Sequence, residues 1–123
     1  MFRLIKIEGG RINVPEPQIL PVGTTAVVTG QALVLSGGKL VSATGKPTFV
    51  ALSDGAANGE CAVGRVESNQ IYEVECTAVP TLGTKVTISE GKKVTATTAD
   101  GVAEIVDVNG ATAAGDTVLV RFA

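Results

Sequence analysis

Gly30 to Thr44 reads GQALVLSGGKLVSAT, and Gly83 to Thr97 reads GTKVTISEGKKVTAT. The two stretches align without a gap over 15 residues with seven identities, Gly30/Gly83, Ser36/Ser89, Gly38/Gly91, Lys39/Lys92, Val41/Val94, Ala43/Ala96 and Thr44/Thr97. Apolar residues also correspond at Leu33/Val86 and Leu35/Ile88. The offset is 53 residues (Gly30 to Gly83). Each copy then runs into a second motif, GECAVGRV after Ala57-Asn58 and GDTVLVRF after Ala113-Ala114, where Gly59-Glu60 match Gly115-Asp116 and Arg65 matches Arg121 at an offset of 56. A duplicated unit constrains the fold, because both copies must adopt one local structure and bury their apolar sides against something shared. Two equivalent binding sites are the functional alternative; duplication of a folding unit is the reading favoured.

Each copy reads as a β-hairpin followed by returning strands. In Ala32–Ser36 and Lys85–Ser89 apolar and small polar side chains alternate, the period of a half-buried strand. Ser36-Gly37-Gly38-Lys39 and Ser89-Glu90-Gly91-Lys92 are turns in which Gly38 and Gly91 supply positive φ. Leu40–Ala43 and Val94–Thr98 return, Phe49–Leu52 and Val102–Val106 come next, and Cys61–Val66 and Thr117–Phe122 end the copies. With Ile71–Thr77 this makes about nine short strands. The apolar fraction is 45% but only three Phe and one Tyr are aromatic, so Val, Ile, Leu and Ala must fill the core. Fifteen Gly and five Pro leave little room for helices. The expectation is an all-β fold, a small β-barrel or sandwich built from two repeated strand motifs, with an extended N-terminal arm. The arm is placed at residues 1–22 and the β domain at 23–123, with repeat halves at about 23–78 and 79–123.

Residues 1–22 lie outside the repeat. Phe2–Ile7 can form a strand that Gly9-Gly10 breaks, and Pro15, Pro17 and Pro21 cannot donate ladder hydrogen bonds. Such a segment can reach a neighbour's sheet edge; a leader, or one more strand of the domain's own fold, is the alternative. Between the copies, Cys61 through Cys76 reads as a hairpin turning at Ser68-Asn69, which places Val66 opposite Ile71 and Cys61 opposite Cys76. A disulfide demands a particular Cα separation, and two reduced, buried thiols acting as small hydrophobes are the favoured state.

No catalytic, cofactor-binding or metal-binding residues are expected. The chain has no His, hence no imidazole base and no Ser–His or Cys–His nucleophile. Glu73 and Glu75 share a strand face, as paired acids can, but an alternating strand makes them its wet face. Asp54-Gly55-Ala56-Ala57-Asn58-Gly59-Glu60 offers oxygens without the acid spacing of a calcium loop, and its residues are those of a turn. Two Cys fifteen apart do not make a zinc site. Lys92-Lys93 sits at a turn and reads as solvated. The net charge of −2 does not favour nucleic acid. Asp54 to Glu75 carries five acids (Asp54, Glu60, Glu67, Glu73, Glu75) against Arg65, an asymmetry that could orient the module on a partner, with a solvated surface the favoured reading. No stretch approaches the length of a membrane span and no signal peptide is legible.

Over Val34–Val66 the chain resembles the capsid decoration, or cement, proteins of tailed phages. The likeness lies in a cadence: a hairpin ending SGGKLVSAT, Val50-Ala51-Leu52, a short loop at Asp54-Gly55, Gly59-Glu60, and a valine-rich strand at Val63. It covers Gly23 to Val66, and reaches the rest only through the repeat. The resemblance implies a β-barrel or β-tulip-like, non-enzymatic structural protein on the capsid exterior of the virion, assembled in the host cytoplasm. It further implies contacts with the major capsid protein that stabilise capsomers, homo-oligomerisation with a trimer favoured, and no nucleic-acid or membrane partner. Other phage or bacterial β-rich modules (tail, baseplate, adhesion) and a small ligand-binding β-module are the alternatives.

Overall fold

The computed structural model describes residues 1–8, 17–98 and 101–122 of the chain. Among the described residues there are eleven strands and no helix: β1 (Arg3–Ile7), β2 (Gln18–Pro21), β3 (Ala32–Ser36), β4 (Lys39–Ser42), β5 (Phe49–Ala51), β6 (Glu60–Arg65), β7 (Gln70–Cys76), β8 (Lys85–Ser89), β9 (Lys93–Ala96), β10 (Ala103–Asp107) and β11 (Thr117–Phe122). The chain is all-β, as the turn spacing requires. The two strands beyond the nine expected are β1 and β2.

Each repeat copy makes one lobe. The first lobe is a sheet of order β2-β6-β5-β3-β4, and a parallel bridge between Val22 and Leu40 brings the end of β2 back to β4. The second is a sheet of order β1-β7-β11-β10-β8-β9, in which β7 also pairs in parallel with β9 through Glu75–Lys93 and Cys76–Val94. Strands β7, β11, β10, β8 and β9 therefore close into a five-stranded barrel, with β1 added along β7. Gly30 and Gly83 fill the same role in both copies: each sits at positive φ (82 and 83) and donates its N–H to a carbonyl of the third strand of its lobe, Ala51 or Ile105.

The repeat is real, but its strands correspond with a slip that residue identity hides. In the first hairpin Ser36 pairs with Lys39 around the two residues Gly37-Gly38, at φ 58 and 78. In the second, Ser89 pairs with Lys93, so Lys92 joins Glu90 (φ 54) and Gly91 (φ 69) in the turn. Leu40, and not Val41, is thus the counterpart of Val94; both point into a core, at 0% and 1% exposure. The second motif is displaced as well. Phe49 pairs with Arg65 as Ala103 pairs with Phe122, so Arg65 corresponds to Phe122 at an offset of 57 and Gly64 corresponds to Arg121. The expected Arg65/Arg121 match is corrected by one residue. In a strand one residue is the difference between the inner and the outer face.

The inner face of the first lobe buries Val22, Val27, Leu33, Leu40, Phe49, Ala51, Cys61 and Val63. The second core holds the inward residues of the closed barrel, among them Val74, Cys76, Val86, Val94, Ile105, Val118 and Val120. It also takes in Ala32, Ala43 and Val50 from the first lobe and Phe2 from the N-terminal stretch. Ala32 donates its N–H to the Gly91 carbonyl at 2.7 Å, so the second hairpin tip touches the first lobe directly. Phe2, Tyr72 and Phe122 form a ring cluster with centroid separations of 6.3, 5.4 and 5.6 Å. Three of the four aromatic side chains are thus gathered where the second barrel meets β1, with edge-to-face or tilted geometry that adds to area burial.

Two expectations are corrected here. The N-terminal segment is not an arm free of the domain's own sheets: β1 pairs antiparallel with β7, and β2 with β6. Pro15 lies outside the described residues, while Pro17 and Pro21 flank or end β2, a strand at the margin of its sheet, where a missing N–H is tolerated. The second correction concerns Cys61 and Cys76. A turn exists at Ser68-Asn69, but the chain there crosses from one sheet to the other. Strand β6 already lies between β2 and β5, and β7 already lies between β11 and the pair β1 and β9. No edge is left on either for a hairpin between them. The Cα atoms of Cys61 and Cys76 are more than 8 Å apart, and the thiols are free and buried in separate cores. They do act as small hydrophobes: register places Cys61 where the other copy has Val118, and Cys76 where it has Val22.

Candidate functional site

Asp54, Glu73 and Glu75, three of the acids weighed for chemistry, are bound up in structure. Arg3 holds the Glu73 carboxylate at 2.9 Å, and the Met1 amino group donates to Glu75 and, at 2.8 Å, to the Lys92 carbonyl. Burial raises the Glu75 carboxyl. Hydrogen bonds from the amino group and its own backbone, with the charges of that amino group and Lys93, hold it below its ordinary value of 4.5. The two acids share the outer face of β7 as expected, each with its own cationic partner. Asp54 accepts from the Thr29 N–H at 2.8 Å and the Thr29 hydroxyl at 3.0 Å, and these bonds hold its carboxyl below the ordinary value. That carboxylate ties the loop before β3 to the loop after β5. Lys92 and Lys93 are exposed at the second turn. Among the described residues no three of His, Cys, Asp and Glu come together in a way that could hold a metal.

The connection between the lobes is organised by Gln70, which is 1% exposed. Its Oε1 accepts from the Glu67 N–H at 2.9 Å and the Tyr72 hydroxyl at 2.7 Å, and its Nε2 donates to the Arg65 carbonyl. A buried amide with both ends paired is a structural pin. Burial pushes the Tyr72 phenol well above its ordinary value of 10.0, with the Glu67 charge adding to the rise.

What remains available is surface. On the outside of the first lobe, β1 and the ends of β5 and β6 enclose an apolar groove of about 380 Å³. Met1, Leu4, Leu52 and Tyr72 line it together with Arg3, whose guanidinium is paired with Glu73, and Gly30 and Gly64 keep it open by having no side chain. A Cβ on Gly64 would sit 3.6 Å from Leu52 Cδ1. Leu52, in the lining, is 49% exposed, and Ile19, on the far side of Ala62 from it, is 62% exposed. The equivalent face of the second lobe is ionic. Glu104, the counterpart of Val50, and Arg121, the counterpart of Gly64, are ion-paired, and Arg121 also reaches Glu8 at 2.8 Å. Lys85, opposite Glu104, stands where the first lobe has Ala32. The sequence marks Leu52 only as part of Val50-Ala51-Leu52 and Ile19 only as one apolar residue of the N-terminal segment, and it joins neither to Ala62 or Gly64. The signal was present in ECAVGR, whose outward positions after Glu60 are the small residues Ala62 and Gly64.

No protein-family model matches this chain, and no curated protein does. Among solved structures, the N base of the head fiber gp8.5 of bacteriophage phi29 matches with a TM-score of 0.66 at 14% identity. The match spans 88% of this chain and 95% of that one. What is shared is the fold. Both lobes are included in it, so the paired-lobe arrangement and not merely one barrel is in common.

Proposed function

We propose that this chain is a structural protein of a tailed-phage head. It sits on the capsid exterior, contacts the major capsid protein as a homo-oligomer, and stabilises capsomer contacts without enzymatic activity. The observation that carries this reading is the fold likeness to a phage head fiber base over nearly the whole chain. Two independent features favour the same assignment: the cadence over Gly23 to Val66 that resembles decoration proteins, and a surface whose candidate acids are held by ion pairs or hydrogen bonds to neighbours. Such a protein needs a rigid body and many weak contacts repeated on a lattice, since repetition multiplies modest affinities. The test is to mix purified protein with isolated heads that lack it, sediment them, and image the pellet by negative stain. Saturable occupancy of heads with added surface density is the expected result. Binding to isolated tails and not to heads favours the tail or baseplate reading, and binding to neither overturns both.

A further inference from the structure

We propose that two copies of this chain associate through the outer face of the first lobe, along Ile19, Ala62 and Leu52. This rests on the homo-oligomer part of the function proposed above and names the surface that part requires. The three residues form one row across the sheet. Ile19 is opposite Ala62 in the β2–β6 register, and the Leu52 N–H donates to the Ala62 carbonyl at 2.8 Å. Partners across neighbouring strands project to the same side. The row is therefore a continuous apolar stripe with Ile19 and Leu52 at its ends, 62% and 49% exposed.

The stripe continues an interface the molecule already uses. The next row of the same face is Gly64 opposite Val50, which in turn is opposite Ala32. Val50 and Ala32 are 4% and 0% exposed because the second lobe covers them. One sheet face is thus half covered within the chain and half open, and the 380 Å³ groove lies where the cover stops. The open half repeats the chemistry of the covered half, with small and aliphatic side chains and no ionisable group in the row. On the second lobe, Ile19 is replaced by Glu73, bound to Arg3, and the row of Ala32, Val50 and Gly64 by Lys85, Glu104 and Arg121. That face suits water and terminates stacking of lobe on lobe, as polar end repeats do in solenoids. An uncharged stripe cannot select a charged partner. It is complementary to a second apolar surface of the same kind, and another copy supplies one: Ile19 of one copy enters the groove beside Leu52 of the next.

The experiment is light scattering on the purified full chain over a wide concentration range, without heads, for wild type, Ile19→Asp and Leu52→Asp. Both positions are exposed, so far-UV circular dichroism and melting should be unchanged. Each substitution should weaken self-association by about tenfold to a hundredfold, the burial of one large aliphatic side chain. Leu82→Asp, equally exposed but on the connection between β7 and β8, should leave the mass unchanged. Should either Asp variant fail to fold, Ile19→Thr and Leu52→Thr are read by the same mass measurement. A wild-type oligomer whose mass is indifferent to Ile19 and Leu52 overturns this interface and leaves the homo-oligomer reading standing. A wild type that stays monomeric throughout overturns both.

Discussion

A Cβ placed on Gly91 would lie 2.6 Å from the Ala32 carbonyl oxygen and 2.8 Å from Ser42 Oγ, whereas one placed on Gly38 would meet nothing within 4 Å. The two glycines occupy the same place in the repeat and both adopt positive φ, 69 and 78. They differ in what lies outside their own hairpin. Gly38 faces solvent, and its freedom serves only the turn. Gly91 is the point where the second lobe's hairpin touches the first lobe, so there the missing side chain also permits close approach of two backbones. Gly38→Ala should therefore cost about 1–2 kcal/mol for the left-handed conformation alone. Gly91→Ala should cost that plus an overpacking penalty of about 1–3 kcal/mol. Urea titration of both variants measures the difference; equal costs would mean that the hairpin tip and the first lobe part easily.

At the scale of elements, β1 is the strand the repeat does not contain. It is held to β7 through the pairs Arg3–Glu73, Leu4–Tyr72, Lys6–Ile71 and Ile7–Gln70, with an irregularity between Leu4 and Lys6. Just before it, Phe2 is 2% exposed, donates its N–H to the Gly30 carbonyl at 2.7 Å, and completes the ring cluster with Tyr72 and Phe122. Phe2→Ala should destabilise the fold by about 3–5 kcal/mol, the range for emptying a buried aromatic site. A loss below about 1 kcal/mol in denaturant unfolding would show that the ring is dispensable. A truncation of residues 1–21 removes β1 and β2 together and so tests folding before it tests any contact with a head.

For the whole molecule, the shifted carboxylates all move one way. Asp54 and Asp116 fall below their ordinary value of 3.8, each through hydrogen bonds from neighbouring backbone amides, with Thr29 serving Asp54 and Thr112 and Ala113 serving Asp116. Glu104 falls below 4.5 through its bond to Arg121, and Glu75 does so despite its burial. A carboxyl whose folded pKa lies below its unfolded value stabilises the fold at pH above the unfolded value, and that contribution is lost as pH falls through the folded one. The melting temperature should therefore change little from neutral pH down to about 4.5 on account of these groups, then drop below about 3.8. Because the groups are mostly exposed, added salt should soften the drop. Calorimetric scans across this range check it, with Asp54→Asn as the variant whose acid limb should be shallower. A melting temperature that rises below pH 3.8 would reverse the sign.

Composition, alternation and the repeated hairpin were enough to determine an all-β chain of two like units, because those features depend on residues close in sequence. The turns at Gly38 and Gly91 and strands such as β8 and β11 followed from local chemistry alone. The pairing of the thiols did not, since whether β6 and β7 form a hairpin depends on which strands already occupy their edges. The one-residue slip between Arg65 and Arg121 escaped for the same reason: identity of residue type is blind to register, and register is set by the partners across the sheet. The outer stripe of Ile19, Ala62 and Leu52 draws on three segments separated in sequence. Only closure of the first lobe brings them into one row, and only the docking of the second lobe decides which half of that face is covered.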